Sequence, residues 1–444
     1  MMTNYWRSGL MVGLFLLLAV ISSGLGRALP PQAPTVPMNS HRLMPSDFEG
    51  GERFGAAVAL AGDTAVVGAY AQNNFRGSAY IYTRSGGSWN ETKKLIASDG
   101  VASDQFGLQV AISGDTIVVA APRADIGTET WRGAVYVYER NAGGANNWGE
   151  VKKLIDILGD SSDWFGTSIA IQDDLIAVGS PNYEDDGAVL LFGRNEGGAD
   201  NWGWITRITV DDGSIYNSEF GSSVALYGDL LVVGNEAHVI NDHLDQGSAY
   251  IFARNEGGVD NWGEVKMLFD PAGTPNDEFG DVAVLGEDLL VIGAKFADVG
   301  SHVSQGAVYV YGRHVGGNSN WGLVRKLTAV DGEDDDLFGV SISLSEDLLL
   351  VGAEGDDIFY SSQGSAYLFG RNEGGANNWG LVKKLVASDG EEKDFFGTAV
   401  ALEGETALIG ASGVNLSDIF EYYIGAVYVT TVVDYPVYLP YVQR

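Results

Sequence analysis

An acidic run in the second half of the 444-residue chain holds the residue type that binds calcium. Asp331, Asp334 and Asp336 lie within one segment, Asp-Gly-Glu-Asp-Asp-Asp. Calcium takes roughly six to eight oxygen ligands, often from carboxylates. The run lacks the Asp-x-Asp-x-Asp-Gly spacing of a calcium loop, and an Asp that fixes a turn through the backbone is the competing interpretation. These three carboxylates are therefore a candidate calcium site.

A second segment combines imidazole and carboxylate groups. His238 and His243 are two of the five histidines, and Glu236, Asp242 and Asp245 lie within the same ten residues. Such groups together could hold a transition metal. Polar loops without a metal are also common, so a plain surface loop is the alternative.

Motifs of the common enzyme classes do not occur in the sequence. It has no Gly-rich phosphate loop ending in Lys, no Gly-x-Ser-x-Gly and no His-Glu-x-x-His. The formal net charge of −33 argues against nucleic acid as a partner, because phosphate binding needs basic residues. The absence of cysteine excludes disulfides, thiol catalysis and thiolate metal sites. We predict no catalytic residues.

A repeat organises the chain. Seven Phe-Gly pairs open equivalent segments, at steps of 52, 59, 55, 59, 59 and 58 residues, and four strand-like runs follow each of these pairs. A fixed period of this kind is typical of β-propellers, with one blade per repeat. We predict an all-β fold, a seven-bladed β-propeller of four-stranded antiparallel blades over residues 41–430. The phenylalanines of the pairs are Phe54, Phe106, Phe165, Phe220, Phe279, Phe338 and Phe396.

The ends of the repeat region indicate how the ring closes. The last repeat lacks the outer run that contains Trp and Lys-Leu. The segment from Arg42 to Asp47 resembles that outer run from Lys94 to Asp99, and in both the Asp stands seven residues before the next Phe-Gly. We predict that an N-terminal strand completes the last blade and removes an exposed sheet edge.

The two ends of the chain differ from the repeats. Residues 1–28 combine Arg7, an apolar stretch from Leu10 to Ile21 and small residues, which predicts a secretory signal peptide. An uncleaved anchor helix is the alternative. Prolines in 29–40 predict an extended linker, and 431–444 a C-terminal tail. We expect a secreted or cell-surface monomer without a transmembrane segment in the mature chain.

Strand direction places the loops on two faces of the ring. In an antiparallel meander, the loops between second and third strands and the links to the next blade emerge together. These segments vary between repeats, whereas the turns on the other face are nearly constant. Binding sites usually lie on variable loops of a constant scaffold. Candidate ligand contacts on this face are Phe75, Trp131, Tyr183, His238, His243, Phe359 and Tyr360.

Short sequence motifs that follow the Phe-Gly pairs resemble those of a known family. They include Val67-Gly-Ala-Tyr70, Val119-Ala-Ala-Pro122 and Ile292-Gly-Ala-Lys295. The chain resembles the FG-GAP repeat proteins and is similar to the seven-bladed head of integrin α subunits. The resemblance implies extracellular adhesion and ligand recognition, often with calcium between the first and second strands. Those turns are only two or three residues long here and carry no calcium loop.

These observations predict an exported, non-catalytic binding or adhesion propeller. Its ligand would be an extracellular protein or glycan held by the variable face, with calcium as the candidate cofactor. The alternative is a lectin-like propeller with carbohydrate between blades, where Trp131, Tyr183, Phe359 and Tyr360 would stack on sugar rings. A third possibility, an enzyme acting on polysaccharides or phosphodiesters, rests on fold analogy alone.

Overall fold

Seven antiparallel sheets form the fold, and each derives from one Phe-Gly repeat. The structure is a computed structural model that describes residues 35–37, 41–210, 218–415 and 423–432. The first strand of every sheet contacts the first strand of the next, and that of the seventh contacts that of the first. The predicted all-β, seven-bladed β-propeller is confirmed.

The blades are numbered in chain order, and the strands of each blade from the centre outwards. Two short turns that include left-handed residues, Gln72–Phe75 and Tyr183–Asp185, lie in loops between second and third strands. The strands are Val58–Ala61, Thr64–Ala69, Ser78–Ser85 and Ser88–Leu95 in blade one; Val110–Ser113, Thr116–Ala121, Ala134–Glu139 and Gly149–Leu154 in blade two; Ile169–Gln172, Leu175–Ser180, Ala188–Gly193 and Gly203–Ile208 in blade three; Phe220–Tyr227, Leu230–Asn235, Ser248–Arg254 and Trp262–Leu268 in blade four; Ala283–Leu285, Leu289–Ala294, Ala307–Gly312 and Gly322–Leu327 in blade five; Ser341–Ser345, Leu348–Ala353, Ser365–Gly370 and Gly380–Val386 in blade six; and Phe396–Glu403, Thr406–Ala411, Ala426–Thr431 and His41–Leu43 in blade seven.

Burial explains the order of strands within a blade. The second strand is buried along its length, as in Thr116–Ala121, whereas the outer strand alternates between exposed and half-buried residues, as in Ser88–Leu95. The core lies between blades, where both faces of a sheet meet a neighbour. One cluster joins Ile81 of blade one to Ile117 of blade two around the fully buried Phe106.

The N-terminal segment supplies strands to two blades. His41–Leu43 pairs antiparallel with the third strand of blade seven, as predicted, over the three residue pairs that the structure describes. Thr35–Pro37, within the segment predicted as a linker, instead adds a parallel fifth strand beside residues 384–386 of blade six. An edge position tolerates Pro37, which has no N–H to donate.

Three glycines let the backbones of neighbouring blades touch. A Cβ on Gly68, in the second strand of blade one, would overlap the carbonyl oxygen of Gly107 in blade two. A Cβ on Gly77 would overlap the carbonyl oxygen of Phe106, whose N–H donates to the carbonyl of Arg76 at 3.1 Å. Gly77 and Gly107 also have positive φ angles of 83° and 91°, which favour glycine. The equivalents of Gly68 are Gly179, Gly234, Gly293, Gly352 and Gly410.

We expect Gly68→Ala to destabilise the propeller more than Gly62→Ala. The first substitution forces blade one away from blade two, and overpacking of this kind costs about 3 kcal/mol. Gly62 has a φ of +56° and open space around a Cβ, so alanine there carries only the left-handed penalty of about 1 kcal/mol. Calorimetric unfolding of both variants checks this, and equal losses would contradict a special role for the inter-blade contact.

Candidate functional site

The variable face carries most of the exposed apolar side chains. It consists of the loops between second and third strands and the links into the next Phe-Gly. Twelve of the nineteen exposed large apolar side chains in the described residues lie there, four lie on outer strands and three on the opposite face. Exposed apolar groups that share one area mark interaction surfaces. The twelve are Phe48, Phe75, Ile96, Val101, Trp131, Ile157, Leu158, Leu244, Val303, Val330, Phe359 and Tyr360.

The opposite face, formed by the turns between first and second and between third and fourth strands, is bonded internally. In blade two, Nδ2 of Asn147 donates to the carbonyl of Ala142 at 2.8 Å, and its Oδ1 accepts from Lys93 of blade one at 3.3 Å. These hydrogen bonds stabilise a turn and link it to the neighbouring blade. The needs of the fold therefore account for both side chains. The same turn bond recurs at Asn201, Asn261, Asn320 and Asn378.

Four of the seven candidate ligand residues are exposed aromatic side chains of the variable face. The exposed fraction is 48% for Phe75, 46% for Trp131, 81% for Phe359 and 55% for Tyr360. They belong to the loops of blades one, two and six. The structure therefore presents aromatic surface at three places around the ring.

The other three candidates have partners within the protein. Tyr183 is buried, with its ring 4.1 Å from the guanidinium of Arg207 and its hydroxyl accepting from that guanidinium at 2.7 Å. His238 is buried, with Nδ1 2.7 Å from the hydroxyl of Ser248. Nδ1 of His243 lies 3.2 Å from a backbone carbonyl oxygen. These side chains stabilise their loops, and their contact with a ligand stays a prediction.

The candidate calcium ligands bind separate groups of the protein. Asp331 accepts from the hydroxyl of Tyr367 at 3.0 Å and from Nζ of Lys384 at 2.9 Å. Asp334 is exposed and lies 3.2 Å from Nδ1 of His302. Among the described residues, Asp331, Asp334 and Asp336 do not form a group whose oxygens all lie within 4.8 Å of one another. Calcium at this run stays a prediction.

Asp336 belongs to a series of buried carboxylates that cap the links between blades. Its Oδ2 accepts the N–H of Glu333 at 2.7 Å. Burial, together with the neighbouring carboxylate of Asp356, raises the pKa of Asp336 to about 7. These bonds favour the capped turn over a metal site. The same bond from the residue three positions earlier recurs at Asp104, Asp163, Asp277 and Asp394.

A group of carboxylates surrounds a lysine where the first strands begin on the variable face. Glu236 follows the second strand of blade four, while Glu278 and Asp281 flank the Phe-Gly of blade five. Their oxygens lie within 4.8 Å of one another. Nζ of Lys295 is 2.6 Å from Asp281, 3.0 Å from Glu278 and 3.9 Å from Glu236. The ammonium group therefore balances the carboxylates from within.

Burial decides where the protons of this group lie. Burial first, and then the charge and hydrogen bond of Asp281, raise the pKa of Glu236 well above its usual range. Burial favours the neutral amine of Lys295, but the surrounding carboxylates raise its pKa. Glu236 thus keeps its proton at neutral pH. Perturbed acids of this kind occur in functional sites and in structural ion-pair networks alike.

Comparison with protein families accounts for the repeat. Seven segments match the FG-GAP repeat: 38–82, 89–138, 148–192, 202–252, 262–311, 321–369 and 379–430. The chain belongs to the FG-GAP repeat family. Among curated proteins, no similar sequence is found. Most FG-GAP segments run from the outer strand of one blade to the third strand of the next, in the seven-bladed arrangement of integrin α heads.

One variable position of the FG-GAP repeats was not among the predicted site residues. The residue before each Phe-Gly is half-buried and has a left-handed backbone, with φ between 53° and 59°. Glycine would suit this backbone, yet all seven repeats have a side chain there. The seven repeats have six different residue types at this position, directly before the constant Phe and Gly. This contrast is visible in the sequence alone. The residues are Arg53, Gln105, Trp164, Glu219, Glu278, Leu337 and Phe395.

We expect Glu236→Gln to gain stability relative to the wild type as the pH rises. An acid whose folded pKa exceeds its unfolded pKa stabilises the fold at low pH, and that contribution is lost as the pH rises above the ordinary value of 4.5. Glutamine mimics the protonated acid at every pH. Thermal unfolding at about pH 5 and about pH 9 measures the effect. A difference in Tm between the two proteins that is the same at both pH values would contradict it.

Proposed function

We propose that this FG-GAP protein is an exported, non-catalytic binding protein that recognises an extracellular ligand through its variable face. The observation that carries the proposal is the unequal distribution of exposed apolar side chains, twelve on this face and three on the opposite face. Variable loops on a fixed scaffold serve recognition in many folds. The FG-GAP propeller fold is consistent with this role.

A stacked arginine on the variable face supports recognition of a large ligand. The guanidinium of Arg123 lies 5.7 Å from the ring centre of Trp131 and 5.8 Å from that of Trp164. Trp and Arg supply much of the binding energy in protein interfaces. Flat aromatic faces also pack against the apolar faces of sugar rings. An extracellular protein and a glycan therefore both fit this surface.

Export and the absence of catalysis are part of the proposal. FG-GAP repeats are typical of extracellular proteins. Residues 1–28, predicted as a signal peptide, lie outside the described residues, as do 29–34, 38–40 and 433–444. In the part of the chain that the structure describes, no helix has the length and apolar character to cross a bilayer. The buried Asp104 and the half-buried Asp270 bond to neighbouring groups of the fold, which explains their placement without a reaction.

We expect removal of the exposed aromatic side chains to abolish ligand binding. The variant replaces Phe75, Trp131, Phe359 and Tyr360 by Ser, and should weaken binding at least about tenfold because such side chains dominate interface energies. Full-length protein is tested on immobilised collagen, fibronectin and fibrinogen and on a glycan array.

The matched control carries the same type of change on the opposite face. It replaces Tyr227, Val259 and Val315, which are exposed there, by Ser and should bind like the wild type. Binding that survives the variable-face change, or is lost in the control, would contradict the proposal. So would a wild-type protein that binds none of the probes.

Calcium-assisted binding stays a prediction, and we expect calcium to add little stability. Asp331 already binds the ammonium group of Lys384, and Asp336 already caps a turn. A ligand that binds the folded state raises Tm by mass action. Thermal unfolding in about 1 mM calcium and in chelator, at equal ionic strength, measures this. A saturable rise of several degrees that Asp331→Asn removes would show a calcium site.

A further inference from the structure

A polar cavity opens on the variable face beside blade one. It lies between the link that precedes this blade and the loop between its second and third strands. Its volume is about 380 Å³, within the range of roughly 300–1,000 Å³ for small-ligand sites. The polar side chains of its wall include Asp47, Glu49, Gln72, Asn73, Arg76 and Lys94.

Internal bonds fix one side of the cavity. Nζ of Lys94 lies 2.6 Å from Asp47, and the hydroxyl of Tyr80 donates to the same carboxylate at 2.7 Å. Nε2 of Gln72 donates to the hydroxyl oxygen of Tyr80 at 2.8 Å. A wall that is already ordered loses little conformational entropy when a ligand binds.

Arg76 differs from these side chains because its guanidinium has no protein partner among the described residues. Its Nε–H is shielded from solvent and donates to no acceptor of the fold. A shielded donor without an acceptor is unfavourable. The Nη groups of Arg76 are not shielded in this way and make no bond within the fold, so an oxygen atom of a ligand in the cavity would accept from them.

The loop that carries Arg76 has an unusual backbone. Asn73, Asn74 and Phe75 are consecutive non-glycine residues with φ of 52°, 56° and 61°. Left-handed residues of this kind are unfavourable and concentrate at functional sites. The run places Asn73 in the cavity wall, and Phe75 beside it is half exposed. Phe48, between two wall residues in the chain, is also half exposed.

The equivalent cavity of blade six is smaller, and its charged groups pair with one another. It measures about 160 Å³. Lys384, at 4% side-chain exposure, lies 2.9 Å from Asp331 and 2.6 Å from Asp356. Gln363 stands at the position of Arg76, and its Oε1 accepts a backbone N–H at 3.2 Å. The same place in the repeat is thus small and internally paired in blade six, and more than twice as large in blade one.

The charges of the open cavity select the ligand class. Arg76 and Lys94 are balanced by Asp47 and Glu49, so the wall offers neither the positive charge that a phosphate needs nor a net negative charge for a cation. The wall holds both donors and acceptors, and the exposed rings of Phe48 and Phe75 are next to wall residues in the chain. A ligand with many hydroxyl groups and apolar C–H faces fits this combination.

We propose that the blade-one cavity binds one or two pyranose units of a glycan. Ring hydroxyl groups accept from Arg76, exchange hydrogen bonds with Asn73 and donate to Glu49. This inference rests on the proposed function, because it names a ligand class and a site within the variable face.

Full-length protein on a glycan array of neutral hexosides and uronic acids tests the inference. Titration calorimetry with the methyl glycosides that bind then gives affinities for Arg76→Ala and Asn73→Ala, which we expect to be at least about tenfold weaker. Asp357→Ala, at the position of Asn73 in blade six, is the matched control and should bind like the wild type. Arg76→Ala should keep the wild-type Tm, because its guanidinium makes no internal bond.

The outcomes separate this site from the wider proposal. Binding of neutral hexosides would show that the site recognises hydroxyl groups. Binding of uronic acids alone would show that a carboxylate is the partner of Arg76. Both results support the proposal that the cavity binds a glycan. No saccharide binding, or affinities unchanged in Arg76→Ala, would overturn it. If immobilised proteins still bind through the exposed aromatic side chains, the variable-face proposal stands while the cavity proposal fails.

Discussion

Contact between the backbones of neighbouring blades is the constraint on which the rest of this propeller depends. Gly68 meets the carbonyl oxygen of Gly107, and no side chain fits between them. The N–H of Gly107 donates within its own blade, to the carbonyl of Ala120 at 2.9 Å, so each junction is fixed in register as well as in distance. Ala120 itself occupies the position of Gly68 in blade two, with its Cβ 3.3 Å from where a Cβ on Gly166 would lie, so this junction must be slightly wider. A ring of seven closes only when the junctions are nearly equal, which is why the Phe-Gly pairs do not vary.

This constraint also separates what can change from what cannot. The residue before the Phe-Gly pair is held in a left-handed conformation in six of the blades by a bond to the preceding blade, as Gln105 is by the carbonyl of Phe75 at 2.7 Å. The side chain there is free to differ, because it lies outside the inter-blade contact. A fixed backbone with variable side chains is the arrangement that recognition requires, since it positions different chemistry without altering the scaffold. Glu278, one of the carboxylates around Lys295, occupies this variable position.

The fold could be predicted from the sequence because its determinants are local and repeated. Period, turn residues and apolar alternation gave the number of blades, the strand order and the two faces. The site could be predicted only in part, because its contacts are not local. In the sequence, a loop tyrosine such as Tyr183 has the features of a ligand contact. In the fold, the guanidinium of Arg207 lies over its ring. In the same way, no pattern in the chain indicates that Lys295 would balance Glu236, which lies 59 residues earlier in the preceding repeat.

A repeat protein provides internal comparisons that a single domain lacks. When one geometry occurs in several copies, polar groups that are satisfied in one copy show what the scaffold needs for stability. In blade six, Lys384 pairs with two carboxylates of the cavity wall, and the cavity that remains is small. Blade one keeps the lysine and its carboxylate partner but adds Arg76, whose shielded nitrogen finds no acceptor in the fold. Stability does not explain that addition, because a buried donor without a partner opposes folding. Blade two also has an arginine at this position, Arg132, whose Nε is likewise shielded without a partner but whose Nη2 donates to the carbonyl of Asp156. Arg76 makes no such bond, and an interaction with something outside the chain would supply it.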